Sequence, residues 1–393
     1  MKHFIKKLQE KDIYRIQLAH ALKAMALSFV GIYIPIYLFH LGYELVDVIY
    51  FYGIFHVVGL FFGLFGIVPL MRHWGLIKVF QLYFFLQMGF LLFLYFLPLF
   101  GGNGMYFWVA SVGGIATFTY WMPLNILFLK ASRKKKMGSD LALLFSLPKV
   151  FSLAGPLLSA LLIPIYGFFP MFIVAGFGLV LAYIPLIGIE KRKMEQEITF
   201  SSAWKNYKSR WKLFVLEMFD NIVEESEWFW GIFVFLIVGS LSAPGIVGAL
   251  TALGGLFFGL FIGKYVNRYD KKLVIGATFL VALLWVIRFF VKDSFWAYVI
   301  TLVASFAMSF FLISYFSIIY RSVKGDRDEE FLILREIPTV IGRMIVFGGI
   351  LLFIQDVRMF FFIPIIALII LFVVLFIFQK SNNSLGSDGK VIS

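Results

Sequence analysis

Six carboxylates stand inside runs of residues that are otherwise apolar. Five fall within LEMFDNIVEESEWFWG: Glu217, Asp220, Glu224, Glu225 and Glu227; the sixth is Glu336. At about 100° per helical residue, Glu217, Asp220, Glu224 and Glu227 share a face about 80° wide. Asn221 and Trp228 flank that face. Ionisable groups in an apolar segment are costly and usually face a cavity or one another. Carboxylates held together resist ionising as a set, so one member can exchange a proton near neutral pH. That chemistry suits proton coupling or a cationic solute. Two blander readings stand beside it. The run can begin later, leaving Glu217 and Asp220 at its inner boundary, or the acids can neutralise Lys23, Lys149, Arg335 and Arg343.

The bases are placed to match. Lys23 lies about seven and Lys149 about nine residues into their runs, so both sit about 10–14 Å from the near end. His20 precedes Lys23 by one turn. These lysines read as an anion site or a gate ion pair, or else as long side chains whose ammonium reaches the lipid headgroups. Arg335, Glu336 and Arg343 occupy the start of another run and read as gate or substrate contacts. His56 is a proton relay or a hydrogen-bonded packing residue. Tyr120, Trp121 and Asn125, beside Pro123, form a polar aromatic patch suited to substrate contact or to packing; Ser314 and Tyr315 are of the same kind.

The elements that position these residues follow from composition. The 393 residues are 61% hydrophobic and 15% charged, with a mean hydropathy of +0.93. Soluble domains carry about 45–50% apolar and about 25% charged residues, so a water-soluble enzyme is excluded. With no Cys there is no disulfide, thiolate or Cys-based metal site. Five scattered His give no metal spacing, and no phosphate-binding GxxxxGK[ST] loop exists, so no metal, cofactor or enzymatic activity is expected. The first fifteen residues are polar and a full-length apolar run follows, unlike a cleavable signal.

A membrane-crossing helix needs about 20 apolar residues. Twelve such runs occur, at 16–39, 46–70, 77–99, 104–129, 140–163, 167–189, 212–238, 245–266, 272–291, 294–319, 331–353 and 357–379. Twelve spans leave both termini on one side. Of the 35 Lys and Arg, 28 fall in the segments on that side, three (Arg288, Lys292, Arg358) on the other, and four inside. This bias predicts cytoplasmic termini and accounts for the net charge of +13 without nucleic acid. The polar stretch 190–212, basic and aromatic, suits a helix on the inner membrane face. The expected organisation is an N-terminal six-helix bundle at 1–189, a cytoplasmic linker at 190–211, a C-terminal bundle at 212–379 and a disordered tail at 380–393.

The halves echo one another. GIVPLMRHWGLIK follows the second run and GKYVNRYDKK the eighth, placing Arg72 and Arg268 half a chain apart. GKYVNRYDKK resembles the G-x-x-x-D-R-x-G-R-R hairpin of the major facilitator superfamily, with Asn267 for Asp and Asp270 for Gly. The first-half loop keeps Gly66, Arg72, Gly75 and Lys78 with the spacing slipped by one. Gly155-Pro156 is similar to the Gly-Pro signature of some exporters in that family. The resemblance implies an all-α polytopic membrane protein with two six-helix repeats. It also implies a central cavity lined by the first, fourth, seventh and tenth helices.

The function expected is secondary active transport of a small solute across the cytoplasmic membrane by alternating access. Protons are the candidate coupling ion, lipid the surrounding partner, and the chain is expected to act as a monomer. Substrate or coupling contacts are assigned to Lys23, Tyr120, Trp121, Asn125, Lys149, Asp220, Asn221, Glu224, Glu227 and Arg343. Gate roles fall to Arg72, Arg268, Arg335 and Glu336. A lipid flippase, or a receptor or assembly protein of the same fold, is the alternative.

Overall fold

The structure is a computed structural model that describes residues 2–100, 103–132, 136–189, 193–194, 197–325 and 327–386. Side chains are described within these ranges except at 2–11, 13, 100, 103, 200, 257–273 and 377–386. The described residues are almost wholly helical. The N-terminal half holds α1 (Tyr14–His40), α2 (Leu45–His73), α3 (Leu76–Leu99), α4 (Gly104–Ala131), α5 (Met137–Tyr166) and α6 (Phe169–Leu186). The C-terminal half holds α7 (Phe200–Val238), α8 (Ala243–Leu256), α9 (Val274–Phe289), α10 (Ser294–Val323), α11 (Glu336–Leu352) and α12 (Val357–Phe376). Eight of these helices are long and apolar enough to cross a membrane by length and composition.

Three elements differ from the sequence reading. Residues 200–211, expected as a separate helix on the inner membrane face, instead run on into α7 across a non-helical backbone at Arg210. A cap starts this helix: Thr199 Oγ1 accepts from the Ser202 amide at 3.2 Å, and Ser202 Oγ accepts from the Thr199 amide at 3.1 Å. The last helix runs to Gly386, so residues 380–386 of the expected disordered tail are helical, and 387–393 lie outside the described residues.

The third difference concerns α8 and α9, which belong to one helical stretch, Ala243–Phe289. A straight helix of that length would run about 70 Å, more than twice a bilayer core. Its described ends are not that far apart. Gly254 packs directly on Leu302 and Ser305 of α10. Arg288 stacks on Trp230, whose indole donates to Thr301 of the same helix at 2.8 Å. The ends therefore lie side by side and act as separate spans.

Several helices are interrupted near the centre. A 3-10 turn at Gly31–Tyr33 breaks α1. A wider turn at Gly63–Ile67 breaks α2. α5 is interrupted at Leu153, just before Gly155-Pro156, where proline supplies no amide to the helix ladder. Here the halves pack most closely. A side-chain carbon on Gly245 of α8 would collide with the Pro156 carbonyl of the other half; within the N-terminal half, one on Gly155 would strike Ser28 of α1. Ser242 also donates to the Ala160 carbonyl at 3.0 Å. The second seam joins α2 to α11.

Candidate functional site

Between the halves lies a cavity of about 200 Å³ with walls from α4, α5, α7, α10 and α11. Trp121 and Asn125 project from α4, Asn221 and Glu224 from α7, and Arg335 and Arg343 from the start of α11. A second cavity of about 190 Å³ lies against α1, α2, α3 and α4, with Trp228 of α7 also in its wall, and is lined by Lys23, Tyr52, Tyr83 and Gln87. Thr117 and Trp121 line both, so the two are neighbouring chambers of one central region.

The shared face expected for the acids of α7 divides among four environments. Glu217 is fully buried and pairs with Arg335 at 3.5 Å. Asp220, one turn on, is fully buried, and neither carboxylate oxygen has a hydrogen-bond partner. Its charged neighbours are Glu224, Glu217, Arg335 and Arg343. Glu224 is exposed and lines the cavity. Glu227 turns away from it to hold Arg288 through two bonds of 2.6 and 2.7 Å. The charge count assigns Arg288 to the side opposite the termini. It is instead buried in α9, with Trp285 and Trp230 at 4.3 and 4.6 Å from its guanidinium. A bidentate pair inside an aromatic sandwich is a packing device within the C-terminal half.

Glu225, outside the shared face, makes a cross-half contact. It lies 3.3 Å from Arg343 and 3.9 Å from His56 of α2. Arg343 also reaches His56 Nδ1 at 3.2 Å. Asn221 donates to the Glu217 carbonyl at 2.9 Å and to Thr339 at 3.2 Å. Glu336 is buried at the cavity wall.

Lys23 pairs with no acid among the described residues. Its ammonium lies over Tyr120 at 4.2 Å, Trp121 at 5.5 Å and Tyr83 at 5.7 Å. His20 holds Tyr120 in place through its hydroxyl. Lys149 crosses directly over Gly255 of α8, and the carboxylates acting on it most strongly are Glu227 and Glu224. Arg72 is half-buried at the end of α2, its Nε buried without a hydrogen-bond partner. The side chain of Arg268 lies outside the described residues.

Both ends of the cavity carry contacts between halves. At the end bearing the termini, Tyr320 donates to Asn125 at 2.9 Å, Lys130 pairs with Glu329, and Lys324 donates to the carbonyls of Leu129 and Ser132. At the opposite end Phe39 stacks on Phe235 at 5.9 Å, and Tyr52 meets Trp228 at 4.3 Å.

No protein-family model and no curated protein matches the chain. Solved structures do. One is a bacterial homologue of the iron transporter ferroportin in an outward-facing state, 14% identical with a TM-score of 0.69, covering 94% of this chain and 99% of that one. Another is the E. coli fucose:proton symporter FucP, 11% identical with a TM-score of 0.67, covering 92% and 97%. A further FucP structure, in the outward conformation and described as a major facilitator superfamily transporter, gives a TM-score of 0.69 at 12% identity. The chain has the major facilitator fold.

In the major facilitator fold the site draws on more helices than the resemblance implied. α1, α4, α7 and α10 contribute, and so do α2, α3, α5 and α11. Tyr52, Tyr83, Gln87 and Thr339 escaped the sequence reading. Each is an ordinary residue in its own helix and gains meaning from neighbours far along the chain. Arg288 did leave a trace: Trp285 and Trp230 each lie three residues from a member of the Arg288–Glu227 pair. That spacing puts ring and charge on one helical face.

Proposed function

We propose that the chain is a proton-coupled secondary transporter of a small solute, working by alternating access in the cytoplasmic membrane with both termini inside. The observation that carries this reading is Glu224, an exposed carboxylate in a cavity walled by both halves. A receptor or assembly protein has no use for a hydrated carboxylate at that depth, where charge is costly. Alternate breaking of the polar contacts at one end and the aromatic contacts at the other would expose the cavity to each side in turn. Asp220 is the proton-carrying candidate, being buried and without a bonding partner one turn from Glu224. Arg72, Arg268 and the Arg335–Glu217 pair serve the conformational cycle.

Reconstitution of the purified chain into proteoliposomes with an imposed pH gradient tests this. Pools of radiolabelled small solutes should include one whose accumulation follows the gradient and collapses with a protonophore. Movement of fluorescent phospholipid between leaflets, with no solute accumulated, would replace the reading with a flippase.

A further inference from the structure

The walls of the central region carry opposite charge. On the N-terminal side Lys23 lines one chamber and makes no ion pair with a described residue; Lys149 lines neither chamber. Lys23 is held by three rings, and rings stabilise an ammonium without supplying a hydrogen-bond acceptor. On the C-terminal side both arginines that line the cavity are already engaged: Arg335 by Glu217 and Arg343 by Glu225. Two carboxylates line this cavity, Glu224 and the buried Glu336; Glu224 is the exposed one, with no cation within salt-bridge distance among the described residues. Thus an ammonium without an ion-pair partner lines the chamber on the α1 side, and an exposed carboxylate, with Lys149 acting on it from beyond salt-bridge distance, lines the one beside α7. Trp121 and Thr117 form the boundary they share.

We infer that the substrate is a small zwitterion, its carboxylate received by Lys23 and its ammonium by Glu224. This deepens the transport reading and rests on it. The ligand must reach from one chamber to the other past Thr117 and Trp121, which line both. The arrangement also gives a reason for closure. Lys23 belongs to the first helix of one half and Glu224 to the first helix of the other. A ligand with both charges ties the two halves together, whereas a ligand with one charge satisfies a single wall. Desolvated charges left unpaired are expensive, so the site should reject a molecule lacking either group.

The probes are the twenty L-amino acids, each compared with its α-hydroxy acid, which lacks the ammonium, and its decarboxylated amine, which lacks the carboxylate. Binding is read by tryptophan fluorescence and thermal stabilisation on the full chain in lipid nanodiscs. At least one amino acid should bind, and its two analogues should bind about tenfold to a hundredfold more weakly. Lys23→Gln should narrow the gap between amino acid and amine, leaving discrimination against the hydroxy acid. Glu224→Gln should do the reverse. The analogue series on the unaltered chain decides the class even where a variant fails to fold. Equal binding of a singly charged analogue, or no amino acid bound at all, overturns the inference. The two readings fail separately. Selective amino-acid binding without flux in proteoliposomes removes transport and keeps the zwitterion. Gradient-driven flux of a neutral solute without amino-acid binding does the opposite.

Discussion

Tyr320 of α10 donates its phenol proton to the amide oxygen of Asn125 in α4, 195 residues away, and so joins the two halves at the end bearing the termini. Lys130–Glu329 and the Lys324 bonds to backbone carbonyls reinforce the same closure. A buried hydrogen bond contributes about 1 kcal/mol, which is about a fivefold shift in a two-state equilibrium. Tyr320→Phe should therefore favour opening at that end. The chain has no native Cys, so Thr117→Cys in the cavity wall provides a single reporter. Its labelling from the terminus-bearing side of oriented vesicles should quicken about fivefold in the double variant. An unchanged rate would mean that the bond does not hold this end shut.

The Glu227–Arg288 pair should behave as structure. Removing one member leaves a buried charge unpaired, a loss of about 3–5 kcal/mol. Glu227→Gln should lower the thermal midpoint in detergent markedly. Glu227→Gln combined with Arg288→Met should recover much of that loss, because no charge is then stranded among the tryptophans. If Glu227→Gln leaves the midpoint intact and instead abolishes accumulation, Glu227 belongs to the coupling machinery.

Much of the architecture was legible because the bilayer imposes one rule on every span. A run of about 20 apolar residues is visible without its neighbours, and the charge bias along the chain sets the sidedness to be tested. Pairing was not legible. Glu217 and Glu227 lie on one face of α7, yet one meets Arg335 and the other Arg288. Ten residues of helix rise about 15 Å, enough to carry the face past different neighbours. Glu225 lies off that face and still reaches His56 of the other half. Lys23 likewise looked like half of an ion pair and is held by rings from α3 and α4. Such contacts depend on which helices adjoin, and hydropathy is silent on that.

The α5–α8 seam sets a steric expectation. A side-chain carbon on Gly245 would meet the Pro156 carbonyl oxygen, the Tyr33 hydroxyl and the Ala160 methyl, all of the other half. Gly245→Ala forces the helices apart, at a cost of about 1–3 kcal/mol for overpacking. The seam joins the halves, so the change should slow interconversion between the two open states more than it weakens substrate binding. Flux measured against equilibrium affinity checks this. A tenfold loss of affinity with unaltered maximal flux would place the seam outside the moving parts.

Asp220 and Glu224 stand one turn apart on α7 with different surroundings, and their roles should separate. Asp220 is fully buried, unbonded at both oxygens, and set among Glu217, Glu224, Arg335 and Arg343, with the Tyr315 hydroxyl also unpartnered. Glu224 faces the cavity. A proton on Asp220 can be held away from water and released only when the halves reopen, which is what coupling requires. Asp220→Asn keeps the shape and removes the titration. With the solute returned by the uptake screen, a gradient of one pH unit supports about tenfold accumulation in one-to-one coupling. Asp220→Asn should bring that ratio to unity while exchange of labelled for unlabelled solute continues. Glu224→Gln should instead raise the concentration needed for half-maximal exchange. If both variants accumulate solute as the unaltered chain does, neither carboxylate couples transport to protons and both are structural.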